Sequence, residues 1–232
     1  GKLRSRPQNV QYFFKEALTW NDVSTADFCC RIINGKIAFD ASGPEFFLAN
    51  NDNIMYFLGL FNSRIVQEFM NLICQGLHYS TGHIPQIPVI IEREEDVKDN
   101  VSQNIDISQS DWDSYETSWD FVTHPLIKQA LAEDNSNCAQ TLIADCYNMW
   151  VEECESRFNK LKANEEELNR IFIDIYGLQD ELDADVADKD ITVHRIFDTK
   201  EDIPESMKGS NYVRTKRDEV VSLLSYAVGC MF

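Results

Sequence analysis

Eight polar side chains fall into two groups whose types suit molecular recognition. Ser24, Thr25, Arg31 and Lys36 surround the turn signal Asn34-Gly35, and Tyr79, Ser80, Thr81 and His83 occupy the polar run 77–83. Hydroxyls, an imidazole and cations on polar tips of a rigid frame are the groups that hydrogen-bond base edges and phosphates. Arg31 and Lys36 would meet phosphate or guanine, while the hydroxyls and His83 would read base edges. Ordinary surface loops carry the same residue types, so composition alone does not separate a reading site from a solvated loop.

Bond-making chemistry is less well served. Cys74, His78 and His83 come nearest to a metal cluster, but there is no C-x-x-C and no second ligand pair at a suitable spacing. A Cys/His nucleophile would require Cys29, Cys30 or Cys74 to meet a histidine, and buried structural thiols are the commoner fate of such residues. The acids Glu152-Glu153 and Glu165 to Glu167 occupy successive helical positions that point apart, which suits a solvated face. No G-x-G-x-x-G turn and no Walker-type loop is present, so the usual backbone cradle for a nucleotide or S-adenosylmethionine is missing. No Pro-Pro pair exists from which to build the Asn/Asp-Pro-Pro-aromatic loop of an amino-methyltransferase. No catalytic residue and no cofactor ligand is assigned.

Composition narrows the partners. The chain has 232 residues, is 44% hydrophobic, and carries a net charge of −18. Such acidity argues against a free-standing, non-specific nucleic-acid binder and confines any DNA contact to a local patch. The acid is concentrated in Glu92 to Asp120 and Glu152 to Glu205, whereas residues 2–91 are closer to balance. The seven cysteines follow no framework spacing and sit in apolar surroundings, which suits reduced, buried thiols. No apolar run of about 18 residues and no signal-peptide pattern occurs, so a cytoplasmic protein without membrane contact is expected. The chain opens without Met and stops just after an apolar run, and it reads as an excised piece.

The elements that would position these side chains follow from periodicity. Phe28 to Ile33 and Lys36 to Asp40 predict a hairpin across Asn34-Gly35. Glu45 to Leu48 predicts a strand. Ile54 to Ile73, capped by Asn50 to Asn53, predicts one amphipathic helix. Ile84 to Ile91, with two prolines, predicts at most an edge strand. Further on, the apolar residues of Asn137 to Tyr176 follow a helical period, either as one long helix or as two parted near Ala163-Asn164, with Gly177 as the stop. Gln179 to Asp190 reads as a connecting loop and Asp218 to Val228 as a short apolar helix. The fold class is therefore α+β: a small mixed α/β domain over residues 1–92, an acidic aromatic-rich linker over 93–135, and a mainly helical region with a long helix over 136–232.

The run from Asn104 to Phe121, with Trp112, Tyr115, Trp119 and Phe121 set among Asp and Ser, is followed by His124-Pro125-Leu126. It resembles a signature of the large adenine-specific DNA methyltransferases of BREX-type phage-defence systems (PglX-like) and of related type IIG restriction-modification proteins. Leu18 to Ser24, Ile37 to Asp40, Ala49-Asn50, Leu58 to Ser63 and His83 to Val89 resemble landmarks of that family's target-recognition domain. Leu161 to Leu182 and Ser222 to Phe232 resemble its C-terminal part. The resemblance covers almost the whole chain. It implies a division of labour in which a preceding methyltransferase domain transfers a methyl group from S-adenosylmethionine to a flipped adenine, while this piece chooses the duplex sequence. Double-stranded DNA, that methyltransferase domain and other defence-system subunits are the implied partners. Relatives tend to carry an Asn-Phe-x-x-Gly-Asp-type loop where this chain has His78 to His83, which leaves the recognised sequence open.

The four aromatic rings of the linker are expected to pin the domains together, at roughly 2 kcal/mol for each buried ring. Two other functions stay in view: an interaction scaffold with an exposed apolar stripe on Leu142 to Ile175, and an acidic, DNA-mimicking surface.

Overall fold

The computed structural model describes residues 8–40, 42–49, 51–132 and 142–232. In chain order the elements are strands β1 (Glu16–Thr19), β2 (Arg31–Asn34) and β3 (Glu45–Phe46), then helices α1 (Ile54–Phe61), α2 (Arg64–Ile73), α3 (Glu94–Trp112), α4 (Pro125–Ala132) and α5 (Ile143–Tyr176). Strands β4 (Arg195–Phe197) and β5 (Val213–Thr215) and helix α6 (Lys216–Gly229) complete the order. The chain is α+β, and of the two readings its periodicity left open the structure shows the single long helix, 34 residues without a break at Ala163-Asn164. Asn50 and residues 133–141, which enter the expectations above, lie outside the described residues. Two compact units emerge: Gly1–Val101 with Glu167–Ala184, and Ser102–Glu166 with Asp185–Phe232.

In the first unit, β1 is the middle of an antiparallel sheet ordered β2-β1-β3. Ala17 and Leu18 are fully buried. The register sets Glu16 opposite Asn34 and Thr19 opposite Arg31. The hairpin expected across Asn34-Gly35 is not formed, because β2 pairs with β1 and Lys36 to Asp40 carries no strand. Gly35 does make the turn, at φ +67°, and a Cβ there would lie 2.8 Å from the Phe14 carbonyl oxygen. The local turn signal was sound, but the buried strand β1 outcompeted the sequence neighbour as a pairing partner.

The predicted helix over Ile54 to Ile73 is split in two at Asn62-Ser63. Asn62 accepts the Cys30 N–H at 2.9 Å and donates to the Cys30 carbonyl at 3.1 Å, so the break ties the helices to the approach of β2. Ser63 then starts α2, whose first N–H, on Arg64, is accepted by Asn169 Oδ1 at 2.8 Å. The apolar face predicted from periodicity is buried through Ile54, Leu58, Phe61 and Ile65. Ile84 to Ile91 forms a short 3-10 turn followed by extended chain, not a ladder strand. The Tyr176 hydroxyl donates to the Pro88 carbonyl at 2.7 Å and the Tyr56 hydroxyl to the Ile90 carbonyl at 2.8 Å, which holds that chain down.

The second unit is built on Trp150, Tyr147, Cys154, Tyr115, Leu126 and Ile196, with a neighbouring cluster of Phe158, Leu161, Ile191, Val193 and Met207. Strands β4 and β5 pair in parallel. Two buried carboxylates are fully engaged. Asp111 accepts from the His194 backbone N–H at 3.1 Å and pairs with its Nδ1 at 2.7 Å. Glu219 accepts from Trp150 Nε1 at 3.1 Å and from Arg214. Residues 94–112, read as linker, are helical. Of the four aromatics expected to be pinned, only Tyr115 is buried, its ring 4.4 Å from the His194 ring. Trp112 is 55% exposed and Trp119 is wholly exposed. The Asp and Ser residues between these rings turn them outward, since residues 113–120 form tight turns instead of a continuing helix.

Two tests follow from this architecture. Gly35→Ala combines a left-handed backbone with the 2.8 Å approach to the Phe14 carbonyl, and should cost about 1–3 kcal/mol in urea-induced unfolding. At the start of α6 the Thr215 N–H and hydroxyl both donate to Asp218 Oδ2, at 2.8 and 2.7 Å, and hold the carboxyl below its ordinary value of 3.8. A depressed carboxyl contributes stability that is present above its ordinary value and is lost as pH falls through the folded-state value. Asp218→Asn should therefore lower stability at neutral pH and flatten its acid dependence below about pH 4, as followed by circular dichroism.

Candidate nucleic-acid interface

The sequence between β1 and β2 and the loop after α2 meet along one seam. Trp20, buried at the end of β1, donates its indole N–H to the Tyr79 carbonyl at 2.6 Å. The Tyr79 N–H in turn donates to the Asp22 carbonyl at 2.7 Å, and the Ser24 N–H to the Leu77 carbonyl at 3.0 Å. These bonds flank an antiparallel bridge between Val23 and His78. The seam thus carries Ser24 and Thr25 on one side and Tyr79, Ser80, Thr81 and His83 on the other.

Several of these side chains already have structural duties. The Tyr79 ring packs on Phe28 at 5.3 Å, and its hydroxyl donates to the Ala26 carbonyl at 3.2 Å. Burial, with the Asp27 carboxylate nearby, raises the Tyr79 phenol above its ordinary value, so it remains a protonated donor. The Ser24 hydroxyl accepts the Ala26 N–H at 3.0 Å and shapes the turn. Thr25, Ser80 and Thr81 are half to fully exposed at the seam. His83 starts the 3-10 turn of Ile84–Gln86, and its buried Nδ1 meets no partner.

Arg31 and Lys36 are not brought together. Arg31 pairs with Thr19, one residue from Trp20, and so stands beside the seam. Lys36 lies past the other end of β2, beside Phe14 and Lys15. Five residues at about 3.3 Å each put roughly 16 Å between the two.

The thiols take quieter parts. Cys74 donates its S–H to the His78 carbonyl at 3.0 Å, and His78 Nδ1 pairs with the Asp22 carboxylate at 3.2 Å. Burial, with Cys29 alongside, raises the Cys30 thiol well above its ordinary value and keeps it protonated. Among the described residues no three His, Cys, Asp or Glu side chains gather as metal ligands. No helix among them is long and apolar enough to cross a membrane.

Charge distinguishes this surface. Residues 2–91 hold as many Lys and Arg as Asp and Glu, so the net charge of −18 belongs entirely to the rest of the chain. Among the described cations of the first unit, Arg64, Arg93, Lys98 and Arg170 are each paired with a carboxylate. Lys15, Arg31 and Lys36 have no ion pair and flank the two strands β1 and β2. The Asp22–His78 pair and Lys15 were missed by sequence reasoning. Lys15 had a signal, its place beside three aromatic residues, whereas the Asp22–His78 contact spans 56 residues and leaves no local trace.

No family model matches this chain. Over its full 232 residues it is 33% identical to the adenine-specific methyltransferase PglX of Lacticaseibacillus casei (strain Zhang). It is 28% identical over 232 residues, 99% of the chain, to the adenine-specific methyltransferase BrxX of Escherichia coli O9:H4 (strain HS). The chain spans 18% of the length of each of these relatives. The resemblance to BREX-type adenine-specific methyltransferases is thus borne out along the whole chain, as a match to one segment of them.

The seam can be probed through its buried donor. Trp20→Phe would leave the Tyr79 carbonyl without its partner, and should cost about 1–3 kcal/mol in urea-induced unfolding. Amides of residues 77–81 should then exchange hydrogen faster than those of α1.

Proposed function

We propose that this chain is the sequence-recognition part of an adenine-specific DNA methyltransferase of a BREX-type phage-defence or related type IIG restriction-modification system. In this reading residues 1–92 are the target-recognition domain, residues 93–135 follow it as a linker, and residues 136–232 form a mainly helical C-terminal region. The methyltransferase domain of a longer parent chain would bind S-adenosylmethionine and flip the adenine. The working compartment would be the cytoplasm, where duplex DNA is the substrate.

The observation that carries the reading is the distribution of free cations. In a chain matched along its whole length to adenine-specific methyltransferases, the unpaired Lys15, Arg31 and Lys36 all lie in or next to strands β1 and β2, within residues 2–91, where acids and bases are equal in number. Arg31 pairs with Thr19, the residue before Trp20, so it offers a phosphate or guanine contact at the end of β1 that carries the Trp20–Tyr79 seam.

A protein-interaction role has an observation of its own. The stripe on α5 is no such surface from Cys146 to Ile173, because Trp150, Phe158, Leu161, Leu168 and Phe172 are buried. Trp119, Val122 and Leu224 of the second unit are exposed, however, and suit contact with another defence-system subunit or with the parent chain.

Fluorescence anisotropy of the chain against a mixed-sequence duplex tests the principal reading. Binding should weaken steeply with salt. The double variant Arg31→Glu/Lys36→Glu should lose at least tenfold in affinity at low salt and flatten the log–log salt slope by about two. Salt-independent binding, or binding indifferent to both reversals, would remove DNA recognition from this face.

A further inference from the structure

Phe14 is the most unusual exposed residue of the first unit. Its backbone is left-handed, at φ +62°, a conformation rare for a bulky L-residue. Its ring is 65% exposed, whereas the adjacent Phe13 packs edge-on against Phe39 at 5.1 Å. The surroundings enforce this conformation. The Phe14 N–H donates to the Ile37 carbonyl at 3.1 Å, and the turn at Gly35 admits the Phe14 carbonyl only because no Cβ is there. A ring held outward on a backbone of this kind is characteristic of contact sites.

Its neighbours specify the chemistry of what it contacts. Lys15 follows it directly, and Lys36 follows Gly35 across the turn. Both lysines are exposed and lack a carboxylate partner, with the Lys15 ammonium 5.2 Å from the Tyr12 ring centre. The nearest acid in sequence, Glu16, accepts from Asn51 Nδ2 at 2.9 Å. An exposed aromatic with one unpaired lysine next to it in the chain and another across the Gly35 turn fits a polyanion that also offers ring faces, as duplex DNA does.

We infer that Phe14 is a wedge that packs against bases of a bound duplex, with Lys15 and Lys36 holding the phosphates on either side. The inference rests on the DNA-recognition reading above and adds a second contact point to it, at the opposite end of β2 from the Trp20–Tyr79 seam. The wedge contributes a ring contact that is tolerant of sequence, while the seam carries the groups able to discriminate bases.

The test is anisotropy of the 232-residue chain against a mixed-sequence duplex over a range of salt. Phe14→Asn is the chosen variant, because Asn tolerates a left-handed backbone and separates loss of the ring from loss of the fold. It should lower affinity about tenfold at every salt concentration with an unchanged slope, and Phe14→Tyr should restore most of the loss. Lys15→Ala/Lys36→Ala should instead make the slope shallower by about two. Wild-type binding with Phe14→Asn equal to wild type would overturn the wedge and leave the recognition reading standing. An absence of wild-type binding at low salt would overturn both.

Discussion

The first unit depends on the burial of a four-residue strand. Ala17 and Leu18 of β1 are adjacent in sequence and both fully buried, so both faces of the strand are covered, and β2 and β3 occupy its two edges. A strand fixed on four sides cannot slip, because a one-residue shift would exchange every side chain between the faces. What precedes and follows it is fixed as well. At its C-terminal end the chain must turn through Trp20, whose indole N–H holds the Tyr79 carbonyl. At its N-terminal end it enters from the left-handed turn at Phe14, which Gly35 admits. The two surfaces read as DNA contacts are therefore the two ends of one buried strand.

The second unit is organised by buried charge. Glu219 has no exposed surface, and its cost of desolvation is offset by Arg214 and the Trp150 indole N–H. Asp111 is treated the same way by the side chain and backbone of His194. Tyr115 lies between these systems, with the Arg214 guanidinium 4.5 Å from its ring centre and the His194 ring 4.4 Å away on centroids. Such pairs add little net stability, but breaking one partner leaves an uncompensated buried charge. They bring α3, α5, β4 and α6 into one arrangement, and the aromatic motif serves it through buried Tyr115 and through Phe121, which packs edge-on against Tyr226 of α6 at 5.8 Å.

Local signals were legible in the sequence and pairings at a distance were not. The helical period of residues 143–176, its stop at Gly177 and the short helix before Phe232 depend on neighbours three and four residues apart, and each appears where periodicity put it. Asn34-Gly35 correctly announced a turn but could not name the partner of β2, which lies on the far side of an 11-residue connection. The break at Asn62-Ser63 was hidden because the apolar period continues across it. Its cause, the two hydrogen bonds of Asn62 to Cys30, spans 32 residues. For the candidate site, residues 24–25 and 79–83 were read as two separate groups, because the Trp20–Tyr79 contact that joins them spans 59 residues, and Arg31 and Lys36 were joined by a hairpin that does not form. Trp112 and Trp119 were expected to be buried as pins between domains, and the Asp- and Ser-rich turns around them leave both exposed.

Charge sets a limit on what the proposed recognition face can do. Lys15, Arg31 and Lys36 are its free cations among the described residues, and the other described cations of the unit are neutralised within a few ångströms. If each of the three displaces the counterions of one phosphate, the log–log salt slope is about −2.7, and raising salt from about 50 to about 200 mM weakens binding roughly 40-fold. Proteins that grip DNA through six to ten phosphates show slopes two to three times as steep. Three contacts can orient a duplex across the ends of β1 without holding it tightly through charge. Discrimination must then come from the short-range groups beside Arg31. On the proposed reading, so few free cations suit choosing a sequence, and a firmer hold on DNA would fall to the rest of a longer parent chain.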